Sequence, residues 1–427
     1  MPSTETILVQ VSGPDRPGIS AGLFARLAEA DATVGDVEQV VIRGRLSLGV
    51  VVDVPGGRDL LKELLLFAWD HDLEIDFDVV DANPTAPREG FVVTALGPRP
   101  SPADLLAVTQ AITDGGGNIH RIVRLSRYPV FTYEMLVHGG DFDAIREQLV
   151  LAAADRDDLD VAIQRGGLSR RANRLVVLDV DSTLIQDEVI DLLADEAGTS
   201  EAVTAVTERA MAGDLDFVAA LEARVATLEG LDAAALGRAY DRLRLTPGAR
   251  TFVRTLRRLG FTTAIVSGGF SYFTDRLAES LGIDYAHANE LEIVDGRLTG
   301  RVLGEIVDRG AKARLLIEIA DKIGVGLNQT VAVGDGANDL DMLAAAGLGI
   351  AFNAKPVVSR AADTAVSVPY LDAILFLLGV SREEIEAADA SDNGGSEQDD
   401  PEHRPREAPG DEPGDEVLAE IGDAPAS

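Results

Sequence analysis

Four short apolar runs in the second half of the chain constrain the fold most: RLVVLDV (174–180), TTAIVSG (262–268), QTVAVGDG (329–336) and GLGIAF (347–352). A strand with one wet face alternates apolar and polar residues, whereas near-continuous Val, Ile and Leu requires cover on both faces. Helical patterns separate these runs, which predicts a parallel sheet flanked by helices. The stretch from about 186 to 245 is almost entirely helical in pattern and interrupts the first crossover, as an inserted cap would. Open parallel sheets bind ligands outside the carboxyl ends of their strands, so residues at those ends are the candidates for chemistry.

The first 165 residues carry a degenerate repeat. One copy begins ILVQVSG (7–13) and the other FVVTALG (91–97), each followed by a helical pattern, GLFARLAEADA (22–32) and LLAVTQAITDG (105–115). Two further strand patterns, a second helix and a closing strand follow in each copy. The order β-α-β-β-α-β, twice over, predicts two ferredoxin-like α+β domains. The expected organisation is domains at 1–86, 87–165 and 173–382, then an acidic tail from 383 to 427. That tail holds 16 Asp or Glu against two Arg and few large apolar residues. It cannot bury enough surface to offset the entropy of ordering, which predicts disorder.

Charge and composition narrow the chemistry. The formal net charge of -34 repels a phosphate backbone and argues against nucleic acid as a partner. With no cysteine there is no disulfide, thiolate nucleophile or cysteine-bound metal, and the five histidines are not spaced as metal ligands. Any metal is then expected to be a hard cation on carboxylates. No run approaches the ~18 to 20 apolar residues of a membrane span. The N-terminal MPSTETILVQVSG has no basic-then-apolar signal pattern, so a cytoplasmic location is expected.

At the end of the first apolar run stands Asp179-Val180-Asp181-Ser182-Thr183. Residues i and i+2 of an extended stretch share a face, so Asp179 and Asp181 project into one crevice. Carboxylates that close repel unless a cation or a shared proton intervenes. The next strand end carries Ser267-Gly268-Gly269, a hydroxyl with approachable backbone N–H groups suited to phosphoryl oxygens. Lys312 is a cation that can offset phosphate charge. Gly334-Asp335-Gly336-Ala337-Asn338-Asp339, at a third strand end, is too acidic to cradle a pyrophosphate but suits magnesium.

Together and in order, over about residues 174–378, these elements resemble the haloacid dehalogenase superfamily of phosphotransferases. Within it the segment is similar to the phosphoserine phosphatase family. The resemblance implies an α/β fold, a Rossmann-like parallel-sheet core with a helical cap insertion. It implies Asp179 as the nucleophile that takes the phosphoryl group, and Asp181 as general acid and base. It assigns Mg²⁺ to the Asp179 carboxylate, the Asp181 backbone carbonyl and Asp335. Ser267, Gly268 and Lys312 would hold the transferring group, Asn338 would hydrogen-bond near it, and Asp339 would orient Lys312. For O-phosphoserine, Glu188 would bind the ammonium and Arg224 the carboxylate, while Met211 and Phe217 close the cap.

The N-terminal repeats resemble ACT domains, ligand-sensing modules of amino-acid metabolism, on Gly13-Pro14-Asp15-Arg16-Pro17-Gly18-Ile19. That resemblance implies Gly18 as a regulatory position, L-serine as effector, and a homodimer through the ACT domains. The second copy reads Gly97-Pro98-Arg99-Pro100-Ser101-Pro102-Ala103 and lacks the Pro-Gly-Ile ending. Two alternatives stay open on residues alone. One is the same chemistry on another small phosphometabolite or a phosphoprotein. The other is an amino-acid-sensing regulatory protein.

Overall fold

The computed structural model describes residues 4–55, 58–81, 90–154, 156, 158–167, 174–212 and 214–393. The chain forms two compact units, Met1–Pro87 and Arg88–Ser427. The first contains β1 (Thr4–Pro14), α1 (Ile19–Glu29), β2 (Thr33–Ile42), β3 (Arg45–Pro55), α2 (Arg58–Asp70) and β4 (Glu74–Val79). Its antiparallel sheet has the order β2-β3-β1-β4. Ile7, Val9 and Val11 alternate onto one face of β1 and meet Leu23 and Leu27, one turn apart on α1, in a shared core with Leu64 and Phe67 of α2. Gly18 caps α1 with φ 95°, a left-handed conformation that glycine takes at little cost.

The second unit opens with the second repeat: β5 (Gly90–Gly97), α3 (Pro102–Asp114), β6 (Asn118–Ser126), β7 (Phe131–His138), α4 (Phe142–Ala154) and β8 (Asp160–Arg165), in the sheet order β6-β7-β5-β8. It continues with β9 (Leu175–Leu178) and four helices, α5 (Val189–Ala197), α6 (Ser200–Met211), α7 (Phe217–Ala226) and α8 (Ala234–Tyr240). Next come α9 (Ala249–Arg258), β10 (Thr262–Phe270), α10 (Ser271–Leu281), β11 (Tyr285–Val294), β12 (Arg297–Leu303) and α11 (Arg309–Ile323). The chain then runs through β13 (Thr330–Gly334), α12 (Leu340–Ala345), β14 (Leu348–Phe352), α13 (Pro356–Ala361), β15 (Thr364–Val366), α14 (Ile374–Leu377) and α15 (Arg382–Asn393).

Seven strands form the larger sheet, ordered β12-β11-β10-β9-β13-β14-β15. All neighbours are parallel except the β11–β12 hairpin. The apolar runs explain it: Val176 and Leu178 of β9 join the core on one face, while Leu175 and Val177 join a second core on the other. The helical insert is tied at its neck, where Ile185 bridges to Leu245 and Gln186 Nε2 donates to the Leu245 carbonyl at 2.8 Å. Among the described residues no helix is long and apolar enough to cross a membrane.

One expectation is corrected. The disordered tail was expected from residue 383, yet α15 is a helix over Arg382–Asn393. Its composition is polar, but Ile385 buries against the core at 2% exposure. Asp389 takes ion pairs from Arg254 at 2.7 Å and Arg258 at 2.5 Å, both on α9. Arg382, nearly buried, pairs with Asp372 at 3.0 Å. Tertiary partners thus neutralise charges that the local sequence leaves unbalanced. The remainder of the expected tail, 394–427, lies outside the described residues.

Candidate active site

β9 is the central strand of the larger sheet, and Asp179 follows it directly, its N–H still bonded to the Val333 carbonyl of β13 at 2.9 Å. The chain then turns tightly through 180–184, with Ser182 at φ 56°. Asp179 Oδ1 accepts from the Val180 N–H and lies 2.7 Å from Lys312 Nζ. Lys312, on α11, is fully buried and also reaches Asp339 Oδ1 at 2.7 Å. Asp339 Oδ2 in turn accepts from the Gly336 N–H at 2.9 Å, which locks the 334–339 loop around the ammonium. Glycine is required at 334 because a Cβ there would lie 2.5 Å from the Asp339 carboxylate.

Asp181 is held from two sides. Its Oδ1 accepts from the Val189 N–H at the start of α5 (2.8 Å), and its Oδ2 accepts from Ser267 Oγ (3.2 Å). Burial, and then the nearby Glu188 charge, push its carboxyl up to about 7. Asp335, whose Oδ1 accepts from Thr183 Oγ1 at 3.0 Å, is pushed up to about 6 by burial and by Asp339. Burial and Asp339 also raise the Asp179 carboxyl, with Lys312 pulling the other way. Lys312 itself is held protonated: Asp179 and Asp339 overcome the burial that would lower it.

Asp179, Asp335 and Asp339 offer oxygens within 4.8 Å of one another, the one such group of three among the described residues. Lys312 alone among the bonded partners brings positive charge to this cluster, so the balance is negative. An oxygen-only set with surplus negative charge fits a hard divalent cation.

These residues open on a cavity of about 570 Å³. Asp179, Asp181, Gly268, Asp335 and Asn338 line it from the sheet side, and Glu188, Phe217 and Arg224 from the helical insert and its neck. Ser267 sits just behind, bonded to Asp181, and Lys312 lies beneath Asp179. Glu188 Oε1 accepts from Ser182 Oγ at 2.8 Å, and burial raises its carboxyl. A Cβ on Gly268 would lie 3.0 Å from the tip of the Phe217 ring, so β10 and the cap pack tightly there and a side chain at 268 would have to push that ring aside. The Met211 side chain lies outside the described residues. Gly18 belongs to the first unit; a Cβ added there would meet no atom within 4 Å.

Four supporting residues, Asn289, Thr183, Thr246 and Arg309, had no role assigned from sequence. Asn289 on β11, 1% exposed, donates to the Gly268 carbonyl at 2.8 Å and accepts from the Val307 N–H at 2.8 Å, fixing the irregular Ser267–Gly269 stretch of β10. Thr183 fixes Asp335, and Thr246 Oγ1 donates to the Thr183 carbonyl at 2.7 Å. Arg309, at the first turn of α11, lines the cavity mouth and pairs with Asp341. Thr183 adjoins the Asp179–Asp181 pair, which was a usable signal; Asn289 and Arg309 carried none.

The family model for haloacid dehalogenase-like hydrolases matches residues 176–344, and models for ACT domains match residues 5–78 and 90–164. The chain is 53% identical to a phosphoserine phosphatase of Streptomyces coelicolor over 90% of this chain and 94% of that one. It is 47% identical to a phosphoserine phosphatase of Mycobacterium tuberculosis over 92% of this chain and 98% of that one. Among solved structures, a probable phosphoserine phosphatase from Vibrio cholerae superposes with a TM-score of 0.55 at 38% identity, covering 71% of this chain and 90% of that one. With near full-length similarity and matches to all three domains, this chain belongs to the phosphoserine phosphatase family of haloacid dehalogenase-like hydrolases, the form that carries two N-terminal ACT domains.

Proposed function

We propose that the chain hydrolyses O-phospho-L-serine to L-serine and phosphate, the last step of serine biosynthesis, with Asp179 as nucleophile. The observation that carries the reading is one cavity that holds a carboxylate pair, Asp179 and Asp181, together with an opposite-charge pair, Glu188 and Arg224. The first pair suits phosphoryl transfer; the second suits the ammonium and carboxylate of an amino acid. An Asp179 carboxylate oxygen attacks phosphorus, the bond from phosphorus to the seryl oxygen breaks, and Asp181 gives that oxygen its proton. Water then attacks the aspartyl-phosphate, Asp181 takes the water's proton, and phosphate leaves as the Asp179 carboxylate is restored. Splitting one displacement into two, with positioned proton transfer worth about 10²–10⁴-fold, accounts for the arrangement.

Asp179, Asp335 and the Asp181 backbone carbonyl would hold Mg²⁺, with Asp339 committed to Lys312 and the Gly336 N–H. When bound, the ion supplies positive charge to the phosphoryl oxygens. Phosphate release from phosphoserine, phosphothreonine and a phosphoserine peptide, each with Mg²⁺ and with chelator, tests the reading. Rapid Mg²⁺-dependent release from free phosphoserine alone is expected. Preference for the peptide would assign the site to phosphoproteins.

The proton donor gives a pH prediction. Asp181 serves the first step only when protonated, so single-turnover phosphoserine cleavage falls as pH rises through its pKa. After burial, the Glu188 charge contributes most to that raised value. Glu188→Gln therefore moves the alkaline limb to lower pH; an unmoved limb would show that another group donates the proton.

For the N-terminal half, the reading is an amino-acid effector, L-serine, bound beside Gly18, and a homodimer through the ACT domains. The helix α1 it would meet has no side-chain cap. The edge strand β2 is exposed along its length, with Val37, Val41 and Ile42 at 43, 44 and 69% exposure. An apolar unpaired edge of this kind supports pairing with another chain.

A further inference from the structure

The second ACT domain is joined to the phosphatase body by more than a linker. β15 ends the larger sheet, paired on one side with β14. On its other side lies β8, the last strand of the second ACT sheet. The polar groups at this junction are satisfied across it. Ser367 N–H and Oγ both donate to the Asp160 carboxylate at 2.7 Å, and Thr364 Oγ1 donates to the Val161 carbonyl at 3.3 Å. Gln164 Nε2 donates to the Leu377 carbonyl at 2.9 Å, and Arg146 donates to the Ala362 carbonyl at 3.1 Å and faces Asp363 at 3.8 Å.

The apolar interior is continuous as well. Leu96, Leu125, Val130 and Ala162 of the ACT domain belong to the same buried cluster as Val366, Ile374 and Phe376 of the phosphatase. An open sheet edge is a liability that proteins cover with another element, and here β8 is that cover. The helix start that follows the corresponding loop is also capped. In α3 the Ser101 Oγ accepts from the Asp104 N–H while Asp104 accepts from Ser101, a complete capping box, and Arg156 pairs with Asp104 at 3.3 Å. The first domain's α1 has no such cap.

We infer that the second ACT domain is a structural lobe of the phosphatase: it seals the β15 edge and folds and unfolds with the catalytic sheet, so that the separable module ends near residue 87. This goes beyond the substrate reading and does not depend on it. Deleting residues 1–165 then strips a wall from the catalytic body, and activity lost on that deletion says nothing about regulation.

Native-state hydrogen exchange on the full-length protein tests it. Amides of β5 and β8 should exchange with protection within about tenfold of those in β9 and β13, because one cooperative unit opens at one free energy. Asp160→Ala should speed exchange in β9 and β13 as much as in β5 and β8, by about ten- to a hundredfold for two lost solvent-accessible hydrogen bonds. The inference is overturned if β5 and β8 exchange more than about a hundredfold faster than β9 and β13. It is equally overturned if Asp160→Ala accelerates exchange around Ser367 and leaves β9 unchanged.

Discussion

Asp179→Asn yields a folded protein that has lost turnover of phosphoserine by about 10⁴-fold or more, the scale seen when a catalytic nucleophile or its base is removed. An amide cannot form the acyl-phosphate, so no covalent route is left. The fold survives because Lys312, buried beside Asp179, keeps its second partner, Asp339, at 2.7 Å. The substitution also removes one of three carboxylates that crowd the site, Asp179, Asp335 and Asp339. Circular dichroism and a thermal melt establish the fold, and phosphate release establishes the loss. Beryllofluoride, which mimics an aspartyl-phosphate, should inhibit the native enzyme. Substantial turnover by the folded variant would remove Asp179 from the mechanism. Asp181→Asn behaves differently. It slows phosphoserine cleavage but spares the first step with an aryl phosphate, whose leaving group needs little protonation.

The second large effect is in selectivity. Glu188→Gln and Arg224→Ala each reduce kcat/KM for phosphoserine by about 30- to 3,000-fold, equivalent to the roughly 2–5 kcal/mol lost when one partner of a desolvated charge pair is removed. An aryl phosphate should change by no more than about threefold, since it presents neither an ammonium nor a carboxylate for these residues to hold. Gln at 188 can keep the 2.8 Å bond from Ser182 Oγ, so the effect isolates the charge. Equal losses on both substrates would make Glu188 and Arg224 structural and leave the serine assignment without its main physical support.

Much of this was legible in the residues because it is local. A Val/Ile/Leu run states by itself that a strand is covered on both faces, and β9, β10, β13 and β14 fall on the four runs. Asp179, Asp181 and Asp335 stand just beyond strand ends and Ser267 in the last half of β10, so a linear motif locates them without knowledge of the sheet order. Ferredoxin-like order was likewise readable from two alternating periods, 2 and 3.6.

Tertiary structure alone decided the rest, through partners distant in sequence. Thr183 meets Asp335 across 152 residues, and Asp160 meets Ser367 across 207. Nothing local marks Asn289 as the residue that holds the Gly268 carbonyl, because an asparagine in a strand pattern is equally a solvent-facing residue until the neighbouring loop is in position. The stretch after Arg382 shows the reason most plainly. Its acidic composition by itself predicts an unfolded tail, whereas Arg254 and Arg258 on α9 supply the charge, and the core supplies the pocket for Ile385, that make it a helix. Composition reports the cost of ordering a segment; the compensating contacts exist only once distant parts of the chain have come together.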